Sequence, residues 1–208
     1  MIEQGTPEWF AQRCGKVTAS RIGDMMAKTK TGWGASRANY KAQLVAERLT
    51  GIVAESYSNA AMQWGTDTEP EARSAYAMSI MQEIEQTGFV DHPRIKMSGA
   101  SPDGLVGKDG LVEIKCPNTA THIETLLGGS VPQKYVYQMQ WQMACTGRTW
   151  CDFVSYDPRM PTDMRLFVRR LELDPETVGV LAGAVTDFLI EIDKTVSQLS
   201  AMYRAEDA

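Results

Sequence analysis

Residues 101–116 read SPDGLVGKDGLVEIKC. Gly107-Lys-Asp-Gly110 is a turn signal. Short apolar runs flank it, so two antiparallel strands joined by a tight turn are expected. The turn folds the chain back, and Asp103 then lies beside Glu113, ten residues later. Side chains alternate along the second strand. Leu111, Glu113 and Lys115 share one face, and Val112 and Ile114 share the other. Two acids and a lysine thus converge on one spot.

Phosphodiester chemistry can use this set. Magnesium is a hard cation that prefers oxygen ligands and keeps open water positions. Asp103, Glu113 and the backbone carbonyl of Ile114 supply such oxygens. A bound cation acidifies a coordinated water and polarises phosphate, and a second cation can stabilise the leaving oxygen. Lys115 would orient the water or take its proton; the latter requires a pKa well below the reference of about 10.4. The bland alternative is an exposed hairpin with a Glu113–Lys115 pair. The preceding SPDG and the apolar strand context favour the site.

Outward from this hairpin the periodicity changes. Strands are expected at 82–90, 96–106, 110–116, 150–156 and 164–173. Helices are expected at 19–28, 36–50, 59–79, 119–128 and 133–146, with Gly51 stopping the second. Pro70 interrupts the third, because the residue before a proline avoids the helical region. It reads as the first residue of a new helix, with Glu69 at its mouth. Asp174-Pro-Glu opens a last helix, at about 175–203, with a cap, an N1 proline and a first-turn acid. Its apolar stripe runs through Val185, Phe188, Leu189, Ile192, Val196 and Leu199. The stretch 29–36 (TKTGWGAS) reads as a mobile loop. The order implies an α/β fold: a mixed central sheet flanked by helices. With 208 residues and no evident linker, a single domain spanning 1–208 is expected, its catalytic core at about 60–160.

Composition narrows the class. The hydrophobic fraction is 43% and no apolar run is long enough to span a bilayer, so no membrane role is expected. MIEQGTPEWF lacks the basic start and apolar stretch of a secretory signal, which makes the cytoplasm the default compartment. Cys14, Cys116, Cys145 and Cys151 form no Cys-x-x-Cys pair and there are two histidines, so zinc is poorly supported and reduced thiols are expected. The net charge of −5 argues against a generically basic nucleic-acid binder. It leaves room for an enzyme with a local basic groove.

The motif S-P-D-G…E-I-K-C-P resembles the PD-(D/E)xK nucleases and, more narrowly, the phage lambda exonuclease family of YqaJ-type viral recombinase nucleases. The likeness extends to EQGTPEW near the start, RCGKVTAS at 13–20, WGTDTEPEAR at 64–73, YVYQMQWQM at 135–143 and YDPRM at 156–160. The resemblance implies a restriction-endonuclease-like core and a homotrimeric ring around DNA. It implies 5′ to 3′ digestion of double-stranded DNA ends, releasing mononucleotides and leaving a 3′ strand. Magnesium is the implied cofactor, as two ions, with manganese as a substitute. The implied partner is a single-strand annealing recombinase, and the implied setting a bacterial cell with a phage or prophage gene. A ring also accommodates the acidic net charge, since only the channel needs positive residues.

By the same resemblance Asp103, Glu113 and Ile114 are metal ligands, Lys115 is the catalytic lysine, and Glu69 completes the metal site from a helix. Gln138 matches the active-site glutamine, and Tyr135 lies one turn away. Arg13, Ser20 and Ser101 match residues that hold the 5′-phosphate; arginine grips phosphate bidentately, which agrees. Lys30 stands where a second phosphate-contacting arginine is expected, keeping the charge but losing the fork. Met62 stands at an apolar wedge that separates the terminal base pair. Two other readings remain: an endonuclease or repair nuclease of the same superfamily, or a DNA-end-binding recombination scaffold.

Overall fold

The computed structural model describes residues 2–30, 32–54 and 59–203. The elements run α1 (Pro7–Arg13), β1 (Val17–Thr18), a 3-10 turn (Ala19–Arg21) leading into α2 (Ile22–Met25), β2 (Lys28–Thr29), β3 (Gly32–Trp33), α3 (Ala35–Thr50) and α4 (Ala60–Ile80). Then come β4 (Ile84–Glu85), β5 (Val90–Asp91), β6 (Ser98–Ala100), β7 (Gly104–Val106), β8 (Gly110–Lys115), α5 (Thr119–Gly128) and α6 (Gln133–Thr146). β9 (Trp150–Tyr156), a 3-10 turn (Thr162–Met164), β10 (Leu166–Glu172) and α7 (Pro175–Tyr203) complete it.

The main sheet has the order β10-β9-β8-β7-β4. β8 and β9 are parallel and the other pairs antiparallel, so the sheet is mixed. A smaller sheet, β1-β6-β5, lies beside it. This is the expected α/β fold with helices on the sheet faces.

The alternation in β8 sets the layers. Val112 and Ile114 pack with Val154, Tyr156 and the α4 residues Ala72 and Tyr76. Leu111, on the opposite face, packs with Phe153 and with Met139 and Met143 of α6. The far side of α6 presents Trp141 and Cys145 to Tyr40, Leu44, Val185, Phe188 and Ile192. α6 is therefore sandwiched between the sheet and α2, α3 and α7, and its residues 138–143 are all buried. Burying each large apolar side chain contributes roughly 1.5–3 kcal/mol, so α6 is firmly held. Helix ends follow local chemistry: Gly51, Gly129 and Gly147 close α3, α5 and α6 in the left-handed conformation.

Several expectations change. α4 runs through Pro70 without a break. The proline gives up one backbone donor, but Thr68, Ala72 and Tyr76 are buried on both sides of it and hold the helix in line. Glu69 is thus a mid-helix residue, and a first-turn dipole role does not explain it. The stretch 29–36 is no plain loop: β2 and β3 pair as a hairpin and α3 starts at Ala35 (Thr31 lies outside the described residues). The strand at 82–90 is two short pieces, β4 and β5, in different sheets. The strand at 96–106 breaks at 101–103, and the last strand begins at Leu166 after a 3-10 turn. α1 is an addition: Thr6 caps it, Pro7 opens it and Glu8 sits in its first turn. The four cysteines are free and three are buried. Among the described residues no helix is long and apolar enough to cross a membrane.

Candidate active site

The register β7–β8 pairs Gly104 with Val112, which places Asp103 beside Glu113. The Ile114 amide donates to Asp103 Oδ2 at 2.7 Å. In a strand the N–H and C=O of one residue point the same way, so the Ile114 carbonyl is also turned toward the Asp103 side. Gly104 lets β4 close on β7: a Cβ there would lie 2.2 Å from Ile84 Cγ2. Glu113 is fully buried. Its Oε1 accepts from Gln138 Nε2 at 2.6 Å and forms an ion pair with Lys115 Nζ. Its Oε2 accepts from Gln142 Nε2 at 2.5 Å.

The electrostatics follow from crowding. Burial, and then the charge of Glu113, hold the Asp103 carboxyl well above the usual carboxylate range. Burial also raises Glu69, against the pull of Arg73. For Lys115 burial favours the neutral amine, but Glu113 and Asp103 outweigh it and the pKa is raised. In the cation-free site Glu113 and Asp103 thus favour the ammonium form of Lys115.

These groups open into a cleft of about 230 Å³ that also takes in Arg13, Ser20 and Ser101. The small sheet brings the serines together, because parallel pairing of Thr18 with Gly99 ends both strands at the cleft. Arg13 comes from the end of α1. Its guanidinium stacks on Trp9 at 3.9 Å, and the Trp9 indole donates to Ser101 Oγ at 3.0 Å. Burial lowers the Arg13 pKa to about 10. Gln4 donates to the carbonyls of Thr87 and Pro102, both at 2.8 Å, and so braces the loop that carries Asp103. A second cavity, about 160 Å³, continues past Arg13 and Ser20 toward Lys16 and Arg21.

The remaining candidates are placed differently. Glu69 is ion-paired with Arg73 and lines a groove of about 670 Å³ adjoining the cleft at Gln4 and Trp9. Lys30 is exposed in the turn between β2 and β3 and lines neither the cleft nor the Arg13 cavity. Met62, in the first turn of α4, is 57% exposed, which removes a core role. Tyr135 stacks on Phe153 and lies 5.4 Å from Lys115 Nζ. Sequence reasoning missed Gln142, Trp9 and Gln4. Gln142 carried a signal, since it lies four residues after Gln138 and so shares its helix face.

The donor chemistry fits a hard divalent cation. A buried carboxylate, Glu113, and a partly buried one, Asp103, whose charges repel at one spot beside a strand carbonyl, suit a cation there. Among the described residues no three His, Cys, Asp or Glu side chains converge closely enough to hold a metal alone.

Comparison with known proteins bears on the fold and the family. LHK-Exo, solved in complex with dAMP, is 51% identical, with a TM-score of 0.91, 98% of this chain and 100% of that chain being covered. The alkaline exonuclease (LHK-Exo) from Laribacter hongkongensis is 50% identical with a TM-score of 0.90 and the same coverage. A phage related exonuclease from Haemophilus somnus is 16% identical over 89% of this chain and 96% of that one, with a TM-score of 0.70; it supports the fold alone. No curated protein sequence matches the chain. Residues 8–149, well over half of the sequence, match the model of the YqaJ-like viral recombinase domain, and the chain therefore belongs to that family.

Proposed function

We propose that the protein is a magnesium-dependent exonuclease that digests duplex DNA ends 5′ to 3′, releases 5′-mononucleotides and leaves a 3′ single strand for annealing recombination. That it is a nuclease rests on its family and on its likeness, over nearly the whole chain, to an alkaline exonuclease. The observation that carries the finer reading is one cleft of about 230 Å³ that joins Asp103, Glu113 and Lys115 to Arg13, Ser20 and Ser101. A phosphate seat beside a hydrolytic centre suits an enzyme that engages a strand terminus. An endonuclease of the same fold has no terminal phosphate to seat, and a scaffold has no use for the acids and lysine.

Asp103, Glu113 and the Ile114 carbonyl would hold the cation, with Glu69 supplying a further oxygen from α4. When bound, magnesium, or manganese in its place, supplies Lewis-acid activation of the scissile phosphate and of the attacking water. A second ion would bind with the substrate phosphate supplying most of its oxygens. Lys115 donates to the nucleophile or to a phosphate oxygen and offsets charge that builds there. Gln138 aligns the water from α6. Arg13 grips the terminal 5′-phosphate, with the Ser20 and Ser101 hydroxyls as further donors. Met62, exposed at the start of α4, inserts as a wedge at the terminal base pair. Lys30, on its hairpin, touches the backbone of the duplex outside the cleft. The working form is a homotrimeric ring around DNA in the cytoplasm of a bacterial cell, encoded by a phage or prophage and partnered by an annealing recombinase.

The test compares a linear duplex with a covalently closed circle of the same sequence, with magnesium and with chelator. Magnesium-dependent loss of the linear form alone supports the reading. Cutting of the circle replaces it with an endonuclease, and binding of ends without nucleotide release replaces it with a scaffold.

A further inference from the structure

The two oxygens of Glu113 have different surroundings. Oε1 faces the cleft, where Gln138 Nε2 at 2.6 Å and the Lys115 ammonium meet it; both residues line that cleft. Oε2 faces the interior and meets Gln142 Nε2 at 2.5 Å. Gln142 is fully buried and does not line the cleft. The orientation of its amide is dictated by chemistry, because an ionised carboxylate only accepts and the NH₂ group must turn toward it. The Gln142 carbonyl oxygen then faces the Cys151 thiol, with Sγ at 4.0 Å. Met139 and Met143, on the same side of α6, pin this face to the sheet. The third glutamine of the series, Gln140, works elsewhere. It donates to the Glu172 carbonyl and accepts from the Asp174 amide where β10 meets α7.

We propose that Gln142 is a positioning residue that anchors the inner oxygen of Glu113, so that Glu113 offers Oε1 alone to a divalent cation. Gln138 and Lys115 release Oε1 when the cation arrives and are then free to meet water and phosphate; Gln142 keeps its bond throughout. Two glutamines one helical turn apart thereby take different roles, Gln142 in cation affinity and Gln138 in turnover. The inference rests on the metal role proposed for Glu113.

The experiment measures manganese binding to the DNA-free protein by titration calorimetry, with melting temperatures in chelator as the fold control. Gln142→Met keeps the length of the side chain but removes its polar atoms. It should melt below the wild type in chelator, because it strands a buried acceptor, yet still fold cooperatively, and bind manganese about 10–100-fold more weakly, as loss of an orienting partner does at metal sites. Gln138→Met, whose bond to Oε1 the cation would displace, should bind manganese as tightly as the wild type while turnover falls. Raising magnesium should restore the rate of Gln142→Met and not that of Gln138→Met. If Gln142→Met does not fold, Gln142→Asn, which keeps the amide but withdraws it by one methylene, should show the same weakened binding. Manganese binding by either Gln142 variant as tight as in the wild type would overturn the inference and leave the metal role intact. A folded wild-type protein that binds no manganese would overturn that role and the inference together.

Discussion

Replacing Arg13 by Ala separates the phosphate seat from the hydrolytic centre. Arg13 lies in the cleft, stacked on Trp9 at 3.9 Å, and burial has stripped enough water to lower its pKa to about 10. A partly dehydrated guanidinium gains more than a hydrated one when an anion arrives. Two charge-assisted hydrogen bonds to a terminal phosphate, at about 1.5 kcal/mol each, give about 3 kcal/mol. That corresponds to a loss of about 100-fold in kcat/KM on 5′-phosphorylated ends. Ends with a 5′-hydroxyl never make these bonds and should slow by about threefold or less. Stability should change little: a cation–π contact at a partly exposed site contributes about 0.5–1 kcal/mol, or about 1–4 °C in Tm for a chain of this size. The assay is steady-state digestion of two duplexes that differ only in the terminal phosphate. Slowing by the same factor on both would refute the phosphate-seat role.

Lys115→Ala should lower cleavage by about 1,000-fold or more with Tm and assembly kept; normal cleavage by this variant would sink the site assignment. Met62→Ala should slow digestion of fully paired blunt ends and spare ends whose terminal bases are already mismatched, as compared by initial rates; equal slowing would remove the wedge. Raising salt should weaken binding of duplex ends along a linear log–log plot, since phosphate contacts release counterions, and a flat plot measured by anisotropy would contradict a charged channel. Asp152→Ala should cost about 2–3 kcal/mol, seen as a fall in Tm, because it strands the buried Tyr76 hydroxyl that donates to it at 2.7 Å and unpairs Arg170; an unchanged Tm would refute that network.

The hairpin that carries the chemistry is legible in sequence because its cues are local. A Gly-rich turn and the period of two fix which residues of 103–115 meet, and the register follows. The apolar stripe of α7 is legible for the same reason, and Val185, Phe188 and Ile192 are fully buried. α1 escapes notice although Thr6-Pro7-Glu8 follows the same grammar as Asp174-Pro175-Glu176. A helix of seven residues with no buried side chain leaves no stripe to read. α4 reads as two helices because the local penalty at Pro70 is visible in sequence and the packing that outweighs it is not. Gln142 and the direction of the Lys115 shift depend on how α6 docks on β8. Distances set them, and spacing along the chain does not. Glu69 and Lys30 show the same limit: the first is held by Arg73 beside the cleft, and the second stands on a hairpin outside it.

The most direct test of the central claim is digestion of a linear duplex with a 5′-phosphate at one end only, labelled at either terminus, in magnesium and in chelator. The expected result is magnesium-dependent release of the 5′ label as mononucleotide while the 3′ label survives on a long strand. Release of the 3′ label first, internal cuts, or cleavage that persists in chelator would contradict it.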